Sequence, residues 1–211
     1  MSEKYKYTFT VGKLMLEEFT IVAHILAFSD LRAEKERIVN NNLLNIKSES
    51  SRKRFFSEML NRSDIIGRQF WKHFIDATYS EKALLLFYLL IKNYSLLFDL
   101  HKEVILPKVR TLDLGFNSED VHMFFQNKSL EHPEINNWSQ TTKTKIINSI
   151  LLIYSRANLL NKNIITPTKQ SNNFWFNFLT YGDKWFLEFA FLNKFERENI
   201  LREYDEFRQS L

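Results

Sequence analysis

Residues 46–62, IKSESSRKRFFSEMLNR, decide how the chain is read. Ser50-Ser51 is a natural helix N-cap, and Arg52, Lys53 and Arg54 follow at once. With Arg52 at zero and about 100° per residue, Phe55, Phe56, Met59 and Leu60 fall near 300°, 40°, 340° and 80°, one apolar stripe. Lys53, Arg54, Ser57 and Asn61 fall between about 100° and 200°, on the opposite side. A helix that buries aromatics behind and shows Lys, Arg, Ser and Asn in front suits a nucleic-acid groove. A solvated surface helix with clustered cations is the plainer alternative.

Outward from this stretch, the 211 residues suffice for one large domain or two small lobes. Hydrophobic residues make up 45%, with four Gly and three Pro, so helices dominate rather than disorder or an all-β fold. Cysteine is absent, which excludes disulfides, zinc–cysteine sites and thiol chemistry. The opening MSEKYKYTFTVGK lacks the apolar core and cleavage site of a signal peptide. The most apolar run, residues 83–91 (ALLLFYLLI), is far shorter than the roughly 20 residues of a membrane span. It reads as a buried core helix of a soluble, cytoplasmic protein with no membrane partner.

Charge is unevenly placed. Residues 47–72 carry seven basic side chains against three acidic ones, and no acidic residue lies between Glu134 and Asp183. Two basic islands in a chain of net charge +4 point to a polyanionic partner.

In chain order, YKYTFT (residues 5–10) alternates but is too short for a trusted strand. The spacing Met15, Phe19, Val22, Leu26 predicts a helix over 11–28, with Leu14, Ile21 and Ile25 adding a second apolar side. Ser29-Asp30 caps a second helix to about Val39, burying Leu31 and Ile38, and an Asn-rich turn leads into the basic helix. This is a helix-turn-helix outline, although its connection exceeds the usual 3–4 residues. Asp64 starts a further helix with Phe70, Trp71 and Phe74 inward, and Gly67 marks a close crossing. Ser80-Glu81 caps the apolar helix 81–93; residues 96–106 continue as another, ended by Pro107. Asn117 or Ser118 caps SEDVHMFFQ. The long helix 141–157 turns Ile146, Ile147, Ile150, Ile153, Tyr154 and Ala157 to the core, with Lys145, Asn148, Ser149 and Arg156 opposite. Leu159-Leu160 and Ile164-Ile165 then flank Asn161-Lys162-Asn163 as a small hairpin. The expected architecture is all-α, a two-lobed helical bundle. A helix-turn-helix-like N-terminal lobe (1–72, basic helix 50–62) precedes a C-terminal lobe (73–211). The latter holds at most one winged-helix-like hairpin, at 159–166, and aromatic-rich final helices.

Catalytic constellations are missing from the sequence. The glycines are isolated, so no phosphate loop exists, and the five histidines form no HExxH or HxxxH pair. Asp99 and His101 do not share a helix face, and His73 with Asp76 reads as a surface hydrogen bond. Neither enzymatic activity, a metal nor a cofactor is expected. The cluster from Phe174 to Phe195 could stack bases, but its helical spacing favours core packing. Its excess over one helix face leaves room for a partner surface.

Several segments in order are similar to one family. They are YTFTVGKLMLEE, NLLNIKSESSRKRFFSEMLNR, KNYSLLFDLHKEVI, KVRTLDLGFNSEDVHMFFQNK and TTKTKIINSILLIYSRANLL, followed by Pro167. The chain resembles BrxA, the accessory protein family of bacterial BREX phage-defence systems. The resemblance implies an all-helical, non-catalytic protein that binds double-stranded DNA beside other BREX components. The family pattern Ser-Ser-x-Lys-Arg, with a later Arg, lands on Ser50, Ser51, Lys53, Arg54 and Arg62. Further basic positions of the family are Ser57 and Leu60 here, and an older membrane label for the family conflicts with the short apolar run. The expected DNA contacts are Lys47, Ser50, Ser51, Lys53, Arg54, Ser57, Asn61 and Arg62 from the first island, and Lys143, Lys145, Arg156 and Lys162 from the second. A scaffold for defence subunits, docking through the aromatic helices, and an RNA-binding bundle of the antitermination type are the alternatives.

Overall fold

A computed structural model describes residues 4–210. The outer ends of the two expected lobes, and the first three positions of the opening segment compared with a signal peptide, lie outside the described residues. The organising element is α4 (Tyr79–Asn93). Thr78 accepts from the Glu81 amide while the Glu81 carboxylate accepts from the Thr78 amide, a reciprocal cap that fixes its start. Every side chain from Ala83 to Ile91 is buried. A helix apolar all round must be covered all round, and helices from both earlier and later in the chain pack against it. Each large side chain contributes about 1.5–3 kcal/mol by burial.

The N-terminal segment makes one 3-10 turn, Thr8–Thr10, rather than a strand. Helix α1 (Leu16–Phe28) starts later than its apolar spacing predicts, because Lys13 and Met15 adopt left-handed φ of 55° and 58°. Gly12 permits that turn: a Cβ there would lie 2.3 Å from Met15 Cγ. Met15, Phe19, Val22 and Leu26 are buried as expected, whereas Ile21 is exposed. The expected second helix shrinks to turns and a single π turn, Glu36–Asn40. Asp30 Oδ1 accepts from the Arg32 amide at 2.9 Å, and little but Leu31, Ile38 and Val39 is apolar there, too little to stabilise a regular helix.

Helix α2 (Glu49–Ser63) ends in a turn before α3 (Arg68–Asp76). Gly67 is the extended N-cap of α3 with open space around it, so it marks no close crossing. The expected lobe boundary at 72/73 falls inside α3, and one continuous apolar cluster runs from Tyr5 to Ile200. α5 (Ser95–Leu100), a π turn (His101–Ile105) and α6 (Leu106–Arg110) follow. Pro107 does not end the helix: it sits at the start of α6, directly after the π turn.

Asn117 caps α7 (Ser118–Lys128), and Ser139 caps α8 (Gln140–Arg156). Strands β1 (Leu160–Asn161) and β2 (Ile164–Ile165) pair antiparallel, Leu160 opposite Ile165. Their turn, Lys162-Asn163, is left-handed at both residues, as a two-residue hairpin requires. Gly115 bridges Ile164 from the other side, with Phe116 N donating to Asn163 O at 2.9 Å and Ile165 N to Leu114 O at 2.8 Å. The bridging segment thus precedes α7 and α8, and the hairpin follows α8. α9 (Asn172–Thr180), α10 (Trp185–Phe189) and α11 (Lys194–Gln209) complete the all-α fold. Among the described residues no single helix is long and apolar enough to cross a membrane; α4 and the helix after it pass only as a pair bent by 105°.

His101 is fully buried, with Nδ1 2.8 Å from Tyr154 Oη and the ring stacked 4.5 Å from Phe189. Burial pushes its pKa down from 6.5 to about 3, against a weaker opposing backbone contact from Phe189. The unfolded chain therefore binds a proton that the folded protein refuses, and stability falls as pH drops from 6.5 towards 3. The expected loss from this group is at most about 1.4 kcal/mol per pH unit. Urea titrations between those pH values check it: His101→Gln should flatten the slope relative to the unsubstituted protein.

Candidate nucleic-acid interface

Ser48, not Ser50-Ser51, caps α2: its Oγ accepts from the Ser51 amide at 3.1 Å, which places both serines in the first turn. Ser50, Lys53, Arg54, Ser57 and Asn61 form an exposed stripe, while Phe56 and Met59 are buried behind it. Lys53 pairs with Glu49 at 2.6 Å and holds that carboxyl below its usual range. Both groups are exposed, so the pair is weak and open to exchange with a phosphate. Arg54 has no ion-pair or hydrogen-bond partner among the described residues. Asn61 remains exposed but donates to Tyr94 Oη at 3.1 Å. Lys47 is exposed at the approach to the helix.

Arg52 is committed elsewhere, donating to the carbonyls of Val39 (2.5 Å), Ile46 (2.9 Å) and Lys47 (3.2 Å). Arg62 overturns an expectation. It is 0% exposed, paired through Nε with Glu58 Oε1 at 2.7 Å, and cannot reach a duplex. Its direction on the helix, near 280°, lies beside Phe55 on the inner side. The i,i+4 Glu58–Arg62 spacing is the signal in the sequence that identifies an internal pair.

The second island is built on α8. Thr10 and Lys13 face Thr141, Thr144, Lys145 and Asn148 across an open groove of about 540 Å³. Lys145 and Arg156 are exposed, Lys143 is half-buried, and Lys162 is exposed at the hairpin tip. Ser149 departs from the expected polar face: it is buried and donates to Lys145 O at 2.8 Å.

The N-terminal segment joins the two islands. Arg62 Nη1 donates to Lys13 O at 2.6 Å and Leu14 O at 3.4 Å, and Thr8 Oγ1 lies 2.8 Å from Tyr94 Oη. Lys13 thus meets α2 through its backbone and lines the α8 groove with its side chain. Burial raises the Glu18 carboxyl, and Arg156 and Arg62 both act on it in the opposite sense.

Elsewhere the expected surface bond between His73 and Asp76 is replaced: His73 lies 2.6 Å from Tyr181 Oη and 2.8 Å from Gln69 Nε2. Among the described residues no cluster of three or more His, Cys, Asp or Glu is placed to hold a metal. Phe174, Trp175, Phe178, Phe186, Phe189 and Phe191 are core side chains. Phe176 and Trp185 are half-buried, and Phe195 is 70% exposed.

A BrxA family model matches residues 3–170. The chain belongs to the BrxA family. A search of curated proteins finds no match. Among solved structures, an uncharacterized protein from Magnetospirillum magneticum superposes with a TM-score of 0.75 at 17% identity. The match covers 90% of this chain and 97% of that one, a likeness of fold. As a BrxA-family protein the chain is associated with BREX phage defence.

In this BrxA-family fold the buried pair ties the inner face of α2 to the carbonyls of Lys13 and Leu14. Arg62→Met leaves Glu58 buried without its countercharge, at an expected cost of about 3–5 kcal/mol. Ser57→Ala on the exposed face should cost within about 0.5 kcal/mol. Chemical denaturation of the two variants checks the contrast.

Proposed function

We propose that this BrxA-family protein is a non-catalytic accessory of BREX defence that binds double-stranded DNA, mainly through phosphates. It works in the cytoplasm beside other BREX components. The observation that carries this reading is the polar groove in which Lys13 faces Lys145 across threonine hydroxyls and Asn148, none of its lining residues being acidic. Ammonium, hydroxyl and amide donors are the groups that hold a phosphate backbone. The DNA-contacting residues are Lys47 just before α2, Ser50, Ser51, Lys53, Arg54, Ser57 and Asn61 on it, and Lys143, Lys145 and Arg156 on α8 with Lys162 in the hairpin turn; Arg62 is excluded by burial. Ser57 and Asn61, on the exposed stripe, offer a hydroxyl and an amide to base edges.

The hairpin that follows α8 supports the same reading: read as a winged-helix-like unit, α8 would be the recognition helix and Lys162, in the hairpin turn, the tip of the wing. Exposed Phe195 and Phe207 on α11 favour a second role, docking of another defence subunit, that does not compete for these residues.

Lys53→Glu with Arg54→Glu, and separately Lys145→Glu, should weaken duplex retardation in gel shifts by at least about tenfold, with helical circular dichroism intact. The slope of log K against log salt should flatten by about 0.9 for each phosphate that the variant no longer neutralises. Unchanged binding in both variants would sink the interface. Structured RNA competing better than duplex DNA at equal salt would reassign the partner.

A further inference from the structure

A second basic site lies apart from the groove and shares no lining residue with it. Where α4 meets α5, a cleft of about 350 Å³ is lined by Lys4, Lys6, Lys92, Asn93, Phe98 and Trp185. Three lysines line it against one carboxylate, Asp183, which is already engaged. It accepts from Lys92 Nζ, from Tyr88 Oη at 2.5 Å and from Trp185 Nε1 at 2.8 Å. Burial works to raise the Asp183 carboxyl, but these donors hold it below its usual range, so it stays charged and fixes the Lys92 head. The charges lining the cleft sum to a positive value. Asn93 adds a buried Nδ2 with no acceptor among the described residues. A buried amide donor left unpaired is destabilising, and a bound oxyanion would supply its acceptor.

The opposite wall is aromatic. Phe98 and Trp185 meet edge to face at 5.7 Å, and both are only half-buried. A ligand that suits this cleft has an anionic head for the lysines and Asn93 and a flat body for the rings. Lysine ammoniums act as compact point charges, which fits a phosphate better than a planar carboxylate read by a guanidinium fork. The volume lies at the small end of ligand pockets, enough for one nucleotide and too small for a duplex.

We infer that this cleft binds a single nucleoside phosphate, its phosphate on Lys4, Lys6 and Asn93 and its base against Phe98 and Trp185. The nucleotide comes either free or as the unpaired end of a DNA strand, and both sources present the same chemistry.

Isothermal titration of the full chain with AMP, adenosine and inorganic phosphate tests the inference, with a 5′-phosphorylated single-stranded oligonucleotide as the fourth probe. The expected result is saturable one-to-one binding of AMP, with adenosine and phosphate each weaker by about tenfold or more. Lys4→Ala with Lys6→Ala, both exposed positions, should reduce AMP affinity about tenfold, and Asn93→Asp should abolish it. Retardation of duplex DNA should persist in these variants, which separates this cleft from the proposed DNA face. Stronger binding of the oligonucleotide than of AMP assigns the strand end as the source; the reverse assigns the free nucleotide. No saturable AMP binding, phosphate binding as tightly as AMP, or full affinity in folded variants would each overturn the inference.

Discussion

Arg62 reaches from the inner face of α2 to Glu58 on one side and to the carbonyls of Lys13 and Leu14 on the other. Tyr94, at the end of α4, donates to the same Glu58 carboxylate and also meets Thr8 and Asn61. Two charges are thus removed from water at a substantial cost, offset by hydrogen bonds that tie three separate pieces of chain together. An apolar pair of similar volume could give comparable stability. It would not choose which way α2 is rotated, because Phe55, Phe56, Met59 and Leu60 spread over a stripe wide enough to allow some roll. The fork of a guanidinium donating in two directions removes that freedom. The exposed stripe of Lys53, Arg54 and Ser57 is therefore a consequence of what Arg62 does inside.

The same constraint explains the N-terminal segment. Residues 8–15 contain little regular structure, and on propensity alone they should fray. They are held because Phe9, Leu14 and Met15 are buried and because Arg62 uses the carbonyls left free by the turn that Gly12 allows. That clamp in turn positions Lys13 against α8. A single internal ion pair on α2 so determines one wall of a groove on a helix far away in sequence.

Much of the fold is legible in the sequence because local signals and burial agree. The all-apolar run of α4, the Asn117 and Ser139 caps, the Ile spacing of α8 and the hairpin at 160–165 each follow from residues close in sequence. What escapes a local reading depends on distant partners. The π turn before Pro107 and the collapse of the expected second helix reflect how neighbouring elements pack around α4, which no local periodicity records. The exposed face of α2 follows from helical angle, whereas Arg62 is misplaced when cations are counted without their directions. Ser149 is misplaced for a related reason: a hydroxyl satisfied by the carbonyl four residues back can be buried at little cost. The basic cleft beside α5 is not legible at all, since its lysines come from positions 4, 6 and 92 and meet only in the folded chain.

Residues beyond 170, outside the family match, are part of the core rather than an appendage to it. Phe178 and Phe186 pack on Tyr88, Phe189 stacks on His101, and Asp183 secures Lys92 at the end of α4. Removing α9 to α11 would expose one side of the most apolar helix in the chain, so loss of a partner on truncation could not be separated from loss of the fold. Any docking role of this region has to be sought on what the core does not use. That surface is the outer side of α11, away from its buried anchor Ile200, where Phe195 stands clear of the cluster. Partner docking and the structural work of the C-terminal helices are therefore separable by surface substitution even though they share a segment.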